Sequence, residues 1–185
     1  NILGSYAVAA FTAGSKIESI FTQAFVAIGT AMSTYNAQNI GARKLDRVRK
    51  GFRSADVIGC TYGVLVGFIL FFVGKYFAYL FISDNAEVVI PMVETYLQCV
   101  GMFMIPLYVV NSYRNGFQGM GYGLLPMLSG VAELVGRGIM AIVASNKKSY
   151  TMACMASPFA WIVATVLLIG LYFYVMKDMK KKLCL

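Results

Sequence analysis

The stretch STYNAQNIGARKLDRVRKGFR, Ser33 to Arg53, decides how this sequence is read. It follows roughly a helix length of mostly apolar residues. Three side-chain amides come first, Asn36, Gln38 and Asn39, then Gly41, then six Lys/Arg between Arg43 and Arg53. A solvated loop of a soluble protein is the plain explanation. The composition argues against it. Hydrophobic residues make up 59% of the 185 and charged residues 13%, whereas soluble chains run near 25% charged. So few charges cannot cover so large an apolar surface, so the solvent around it is lipid. The stretch then reads as the place where a helix leaves the bilayer and a basic loop begins.

Working outward, five apolar segments reach the roughly 20 residues that cross a bilayer core. They lie at about 6–35, 55–82, 88–118, 124–144 and 152–176. The connections SDNAE, GMGYG and SNKKSY are short and turn-like. The second and fifth segments are apolar all round, which a surface helix of a soluble bundle is not. The expected fold is therefore all-α: one polytopic transmembrane bundle. The chain opens on NILGSY, without Met or a basic leader, and reads as a piece of a longer protein.

The distribution of the 16 Lys/Arg fixes an orientation. If the 41–54 loop is cytoplasmic, that side also receives Arg114 and the tail lysines 177, 180, 181 and 182. The outer side keeps Lys75, Lys147 and Lys148. Eleven against three is the positive-inside bias, with Arg43, Lys44, Arg47, Arg49 and Lys50 as the main topology anchor. The net charge of +8 is thus divided among membrane-edge loops, without exposed aromatics between the cations, and nucleic acid is not expected as a partner.

Chemistry is limited by what is missing. There is no histidine, which removes Ser-His-Asp and Cys-His catalysis and most zinc sites. No metal site and no catalytic residue are expected, and an intramembrane enzyme is set aside. Cys60, Cys99, Cys154 and Cys184 have no short spacing and read as small packing residues. Gly59, Gly63 and Gly67 recur every four residues, a spacing that lets helices approach closely in lipid. Pro106 and Pro158 lie inside apolar segments and each removes a backbone bond to the residue four earlier.

The candidate site residues are polar groups inside the spans. Thr12, Ser15, Lys16, Ser19, Thr22, Gln23, Thr30, Ser33 and Thr34 fall on about a third of the first helix. Facing lipid would be costly, so this stripe faces protein or water. Glu18 lies at its edge. Lys16 and Glu18 are two apart and do not face each other. Glu133 and Arg137, four apart with Glu first, form an expected pair. Glu94 sits nearer the outer interface. Glu18, Glu133 and Glu94 are the acids read as membrane-embedded. Asn111, Arg114, Asn115 and Gln118 make one polar face entering the GMGYG turn. That turn matches neither GxGxxG nor GK[ST], so it is not a phosphate cradle.

The segments AVAAFTAGSKIESIF, GTAMSTYNAQNIGARKLDRVRKG, NSYRNGFQGMGYGLLPML and AELVGR, in this order, resemble the multidrug and toxic compound extrusion transporters. The resemblance implies two six-helix bundles related by pseudo-symmetry, of which this chain is similar to helices eight to twelve. It implies exchange of a cationic or amphipathic small molecule for Na⁺ or H⁺ by alternating access, in a bacterial inner membrane, with no further cofactor. It also implies an N-terminal bundle and one preceding helix as partners, beside the lipid bilayer. The family's usual cation-binding acids, on its seventh and tenth helices, have no match in this sequence; as intramembrane polar and ionisable groups, Glu18, Lys16, Thr22, Gln23, Glu133 and Arg137 are the expected substrate- or cation-binding residues. Asn111, Arg114 and Gln118 would shape the cytoplasmic end. A flippase for a lipid-linked saccharide is the alternative; it would favour several cations in the cavity, and only Lys16 and Arg137 are available.

Overall fold

A computed structural model describes residues 4–82 and 86–183. The first three residues, positions 83–85 of the SDNAE connection, and Cys184 lie outside the described residues. Among the described residues eight helices follow in order: α1 Ser5–Gly41, α2 Leu45–Phe72, α3 Gly74–Ala78, α4 Ala86–Gly101, α5 Met104–Gly119, α6 Leu124–Lys147, α7 Tyr150–Cys154 and α8 Ala156–Lys182. Three helices are long and apolar enough to cross a membrane, α2, α6 and α7–α8 taken together, and α4 with α5 makes a fourth if counted as one bent span. Of the five expected spans, α1 differs. Its 37 residues, about 55 Å at 1.5 Å per residue, exceed the bilayer core, but its polar stripe keeps it outside the apolar class.

Prolines set two of the breaks, while the one at Val73 between α2 and α3 has none. Pro106 has no N–H for the carbonyl of Met102, and the third expected segment divides there, α4 meeting α5 at 55°. Pro158 likewise leaves the carbonyl of Cys154 without its helical donor, and the chain breaks at Met155 between α7 and α8. In both cases the proline is the third residue of the following helix, where its missing N–H costs nothing. The glycines of α2 receive the bend. A Cβ on Gly67 would stand 2.5 Å from the carbonyl oxygen of Gly101, Gly63 lies against Met104 and Ile105, and Gly59 meets the ring of Tyr108. Close approach of backbones at this corner requires their small size.

Helix α1 runs through Gly41, six residues beyond the expected end at Tyr35, so the three amides stand inside the helix. It ends in a Schellman motif: Lys44 N–H donates to Asn39 (2.8 Å) and Arg43 N–H to Ile40 (2.9 Å). The left-handed residue of the motif is Arg43, φ 56°, and not the glycine that the sequence suggested as the stop. The α5–α6 turn uses the same pattern with a glycine, Gly121, at φ 87°.

The interior has two apolar clusters. One joins Ile17, Phe25, Tyr96, Leu97, Tyr108 and Trp161. The other, toward the α1–α2 turn, joins Met32, Phe52, Phe117, Leu168 and Val175. Between them α1 lies along α4 and α5, and α6 lies along α8. The remaining faces of α6 are apolar and uncovered, Leu134 being 72% exposed.

Candidate functional site

Glu18 sits on α1 at the boundary between packed and open faces, and its carboxylate accepts a hydrogen bond from the hydroxyl of Tyr96 on α4. Tyr96 is held by its ring: it is buried, lies edge-on to Phe11 at 4.8 Å, and packs where Gly14 leaves room. Among the described residues Glu18 makes no ion pair within 4.0 Å, but Arg137 is near enough to act on it electrostatically. A carboxylate at this depth, served by one phenol, keeps acceptor capacity for a proton or a small cation.

The stripe on α1 serves itself. Thr12, Ser15, Ser19, Thr22, Thr30 and Thr34 each donate to a carbonyl three or four residues earlier on their own helix. The bonded hydroxyls therefore hold α1 to no neighbouring helix. Gln23 and Lys16 are exposed, and Lys16 lines a shallow pocket with Thr12, Phe81 and Val89. The stripe continues past a groove of about 470 Å³ between α1, α6 and α7, lined by Ala7, Phe11, Ala141, Ala144 and Tyr150.

Glu133 on α6 joins two arginines. Arg137 donates to its Oε2 at 3.3 Å, as the i, i+4 spacing implied. The other oxygen takes Arg114 of α5, whose Nε also donates to Ser129 at 3.0 Å. Arg114 thus leaves the polar face expected of it. Asn111 and Asn115 donate to Leu107 and Asn111 on their own helix, and Gln118 is exposed. These residues do not converge on one site. Glu94 is half-buried on α4.

The reading of three membrane-embedded acids omitted a fourth. Asp56 of α2 accepts from Tyr108 (3.2 Å) and Tyr113 (3.0 Å) of α5, one phenol on each oxygen. Its signal was available: a lone acid at the start of an apolar span. It was obscured by the basic run that ends three residues earlier. Tyr96, Tyr108 and Tyr113 had no such signal, because a tyrosine in an apolar run reads as core.

The amides of the decisive stretch are resolved by packing. Asn36 is fully buried and donates to the carbonyl of Gly116 on α5 at 3.1 Å. Asn39 donates back to Tyr35 at 2.8 Å, and Tyr35 Oη closes the α1–α2 turn on the carbonyl of Arg47 at 3.2 Å. Gly119 lies directly on the backbone of Ser33. At the same end Tyr122 donates to Asp178, which pairs with Lys182 at 2.7 Å.

Membrane-length helices, internal carboxylates held by phenols and arginines, and a polar face on an otherwise apolar bundle define a polytopic integral membrane protein. The MatE family profile matches residues 1–143, and the chain belongs to that family. It is also similar to the probable multidrug resistance protein YpnP of Bacillus subtilis, at 30% identity over 128 residues, 69% of this chain. The match spans 28% of that protein's length.

Proposed function

We propose that this chain is part of a cation-coupled efflux antiporter for cationic or amphipathic small molecules, working by alternating access with Na⁺ or H⁺ as the coupling ion. In this reading the short α1–α2 turn, the basic start of α2 and the C-terminus lie in the cytoplasm of a bacterial cell, with the apolar helices in its inner membrane; α2 begins at Leu45, so most of the expected 41–54 loop is helix. The polar face of α1 looks toward an N-terminal bundle across an aqueous cavity. Glu18 is the acid that cation and substrate compete for. A cationic substrate and Na⁺ each bind the ionised carboxylate, and a proton neutralises it, so coupling ion and substrate displace each other.

The observation that carries this reading is Glu18 itself. It lacks an ion-pair partner among the described residues, is positioned by Tyr96, and stands beside a row of hydroxyls that bind only their own helix. Glu133, by contrast, is matched by two arginines. The test is drug uptake into inverted vesicles by the full-length protein carrying Glu18→Gln. Cation-driven uptake should fall by at least tenfold, the effect of losing ~1.4 kcal/mol of coupling. Unchanged coupling with normal protein levels would remove Glu18 from the scheme.

A further inference from the structure

Two arginines at the basic end, Arg49 and Arg53, take no part in substrate or cation binding as proposed above. Arg49 and Arg53 are four apart on α2 and so lie side by side on its surface. Like charges at this spacing repel by a few tenths of a kcal/mol, and the protein does little to relieve them. Arg49 touches Asp46 only at 3.8 Å, and that aspartate is 90% exposed. Arg53 is exposed and has no acidic partner among the described residues. Asp56, three residues further on, is taken by Tyr108 and Tyr113.

Between the two arginines Phe52 plunges into the core, and its ring stands 5.2 Å from that of Tyr172 on α8. Tyr172 is half-buried, makes no hydrogen bond with another described residue, and lies within electrostatic reach of both guanidiniums and of the Asp56 carboxylate. One guanidinium with only a long, solvent-exposed partner, one with no acidic partner among the described residues, and a phenol therefore border one seam between α2 and α8. Below the seam are aromatic rings; above it are the tail lysines of α8.

We propose that this seam binds the phosphate of an anionic phospholipid, with Arg49 and Arg53 as charge partners and Tyr172 as a hydroxyl donor. Guanidinium forks match phosphate oxygens in pairs. Basic pockets between helices at the membrane edge are suited to anionic headgroups, whereas diffuse attraction to the leaflet needs only net charge. The lipid's chains would lie against the exposed apolar flank of α2 that includes Val57 and Ile58. The inference does not depend on transport.

The test uses the full-length protein in phosphatidylcholine nanodiscs, with and without phosphatidylglycerol, reading the thermal midpoint and its dependence on the anionic lipid. Losing the charge-assisted contacts of two guanidiniums to one phosphate costs ~2 kcal/mol. At about 1.4 kcal/mol per decade, Arg49→Gln with Arg53→Gln should weaken apparent affinity for phosphatidylglycerol about 30-fold. Arg49→Lys with Arg53→Lys, which keeps the charge and loses the fork, should restore only part of it while showing that folding is intact. Lys180→Gln with Lys181→Gln, the same charge change at the same end, should cost under threefold. Equal losses in the arginine and lysine pairs would mean diffuse surface attraction and overturn the site. So would a full effect of inorganic phosphate alone, or the same stabilisation in the glutamine pair as in the parent protein.

Discussion

Glu133 offers a measurement in which the sequence and the structure rank the same residues differently. By spacing alone Arg137 is its partner; in space Arg114 is the stronger one. Arg137 is half exposed and meets Oε2 at 3.3 Å, so solvent screens the pair. Exposed helix pairs of this kind are worth about 0.5 kcal/mol. The Arg114 side chain is 30% exposed, bonds both Ser129 and Glu133, and bridges α5 to α6. Breaking a largely buried pair costs roughly 3–5 kcal/mol. Discounted for this exposure, Arg114→Gln should cost about 2 kcal/mol. Glu133→Gln should cost about 3 kcal/mol, because it leaves two guanidiniums close together with no anion between them. The assay is unfolding of the purified full-length protein titrated with SDS, followed by a thiol-reactive dye. Cys99 and Cys154 are buried and will label only on opening. A double-mutant cycle should give a coupling for Arg114 with Glu133 at least 1 kcal/mol larger than for Arg137 with Glu133. Equal couplings, or a larger one for Arg137, would refute the assignment of Arg114 as the principal partner.

Two further outcomes follow from close backbone geometry. Gly119→Ala would place a Cβ 2.7 Å from Ser33 Cα, against backbone that cannot swing aside, and should cost about 3 kcal/mol, whereas Gly123→Ala faces open space and should be near neutral in the same unfolding assay. Arg43→Gly should stabilise by about 0.5–1 kcal/mol. It removes a left-handed strain of roughly 1–2 kcal/mol, partly offset by glycine's greater freedom when unfolded; a loss of stability would show that the Arg43 side chain does more for the turn than its backbone costs.

The elements were legible where the determinant is local. Hydropathy over a window marks α2, α6 and α8, and the two prolines mark the breaks, since a missing N–H acts on the residue four earlier whatever the fold. Glu133 and Arg137 were legible as a pair for the same reason. The end of α1 was not. Gly41 looked like the stop, yet the chain turns two residues later at Arg43, because the Schellman bonds to Asn39 and Ile40 decide where the helix closes. Asp56 was missed because a charge beside a basic run reads as surface. Nothing in the run of residues 88–101 singles out Tyr96 as the partner of Glu18.

The sequence by itself determined the class of the protein, its family, the apolar runs of α2, α6 and α8, the polar stripe of α1 and the crowding of cations at one end. All of these are periodic or compositional properties, carried by residues a few positions apart. Only the tertiary structure decided that Asn36 serves the carbonyl of Gly116, that Tyr96 holds Glu18, that Arg114 crosses to Glu133, and that two phenols hold Asp56. Those pairings join residues 19 to 80 positions apart. They depend on the rotation and depth of one helix against another, which packing at Gly59, Gly67 and Gly119 sets and no single helix's pattern encodes.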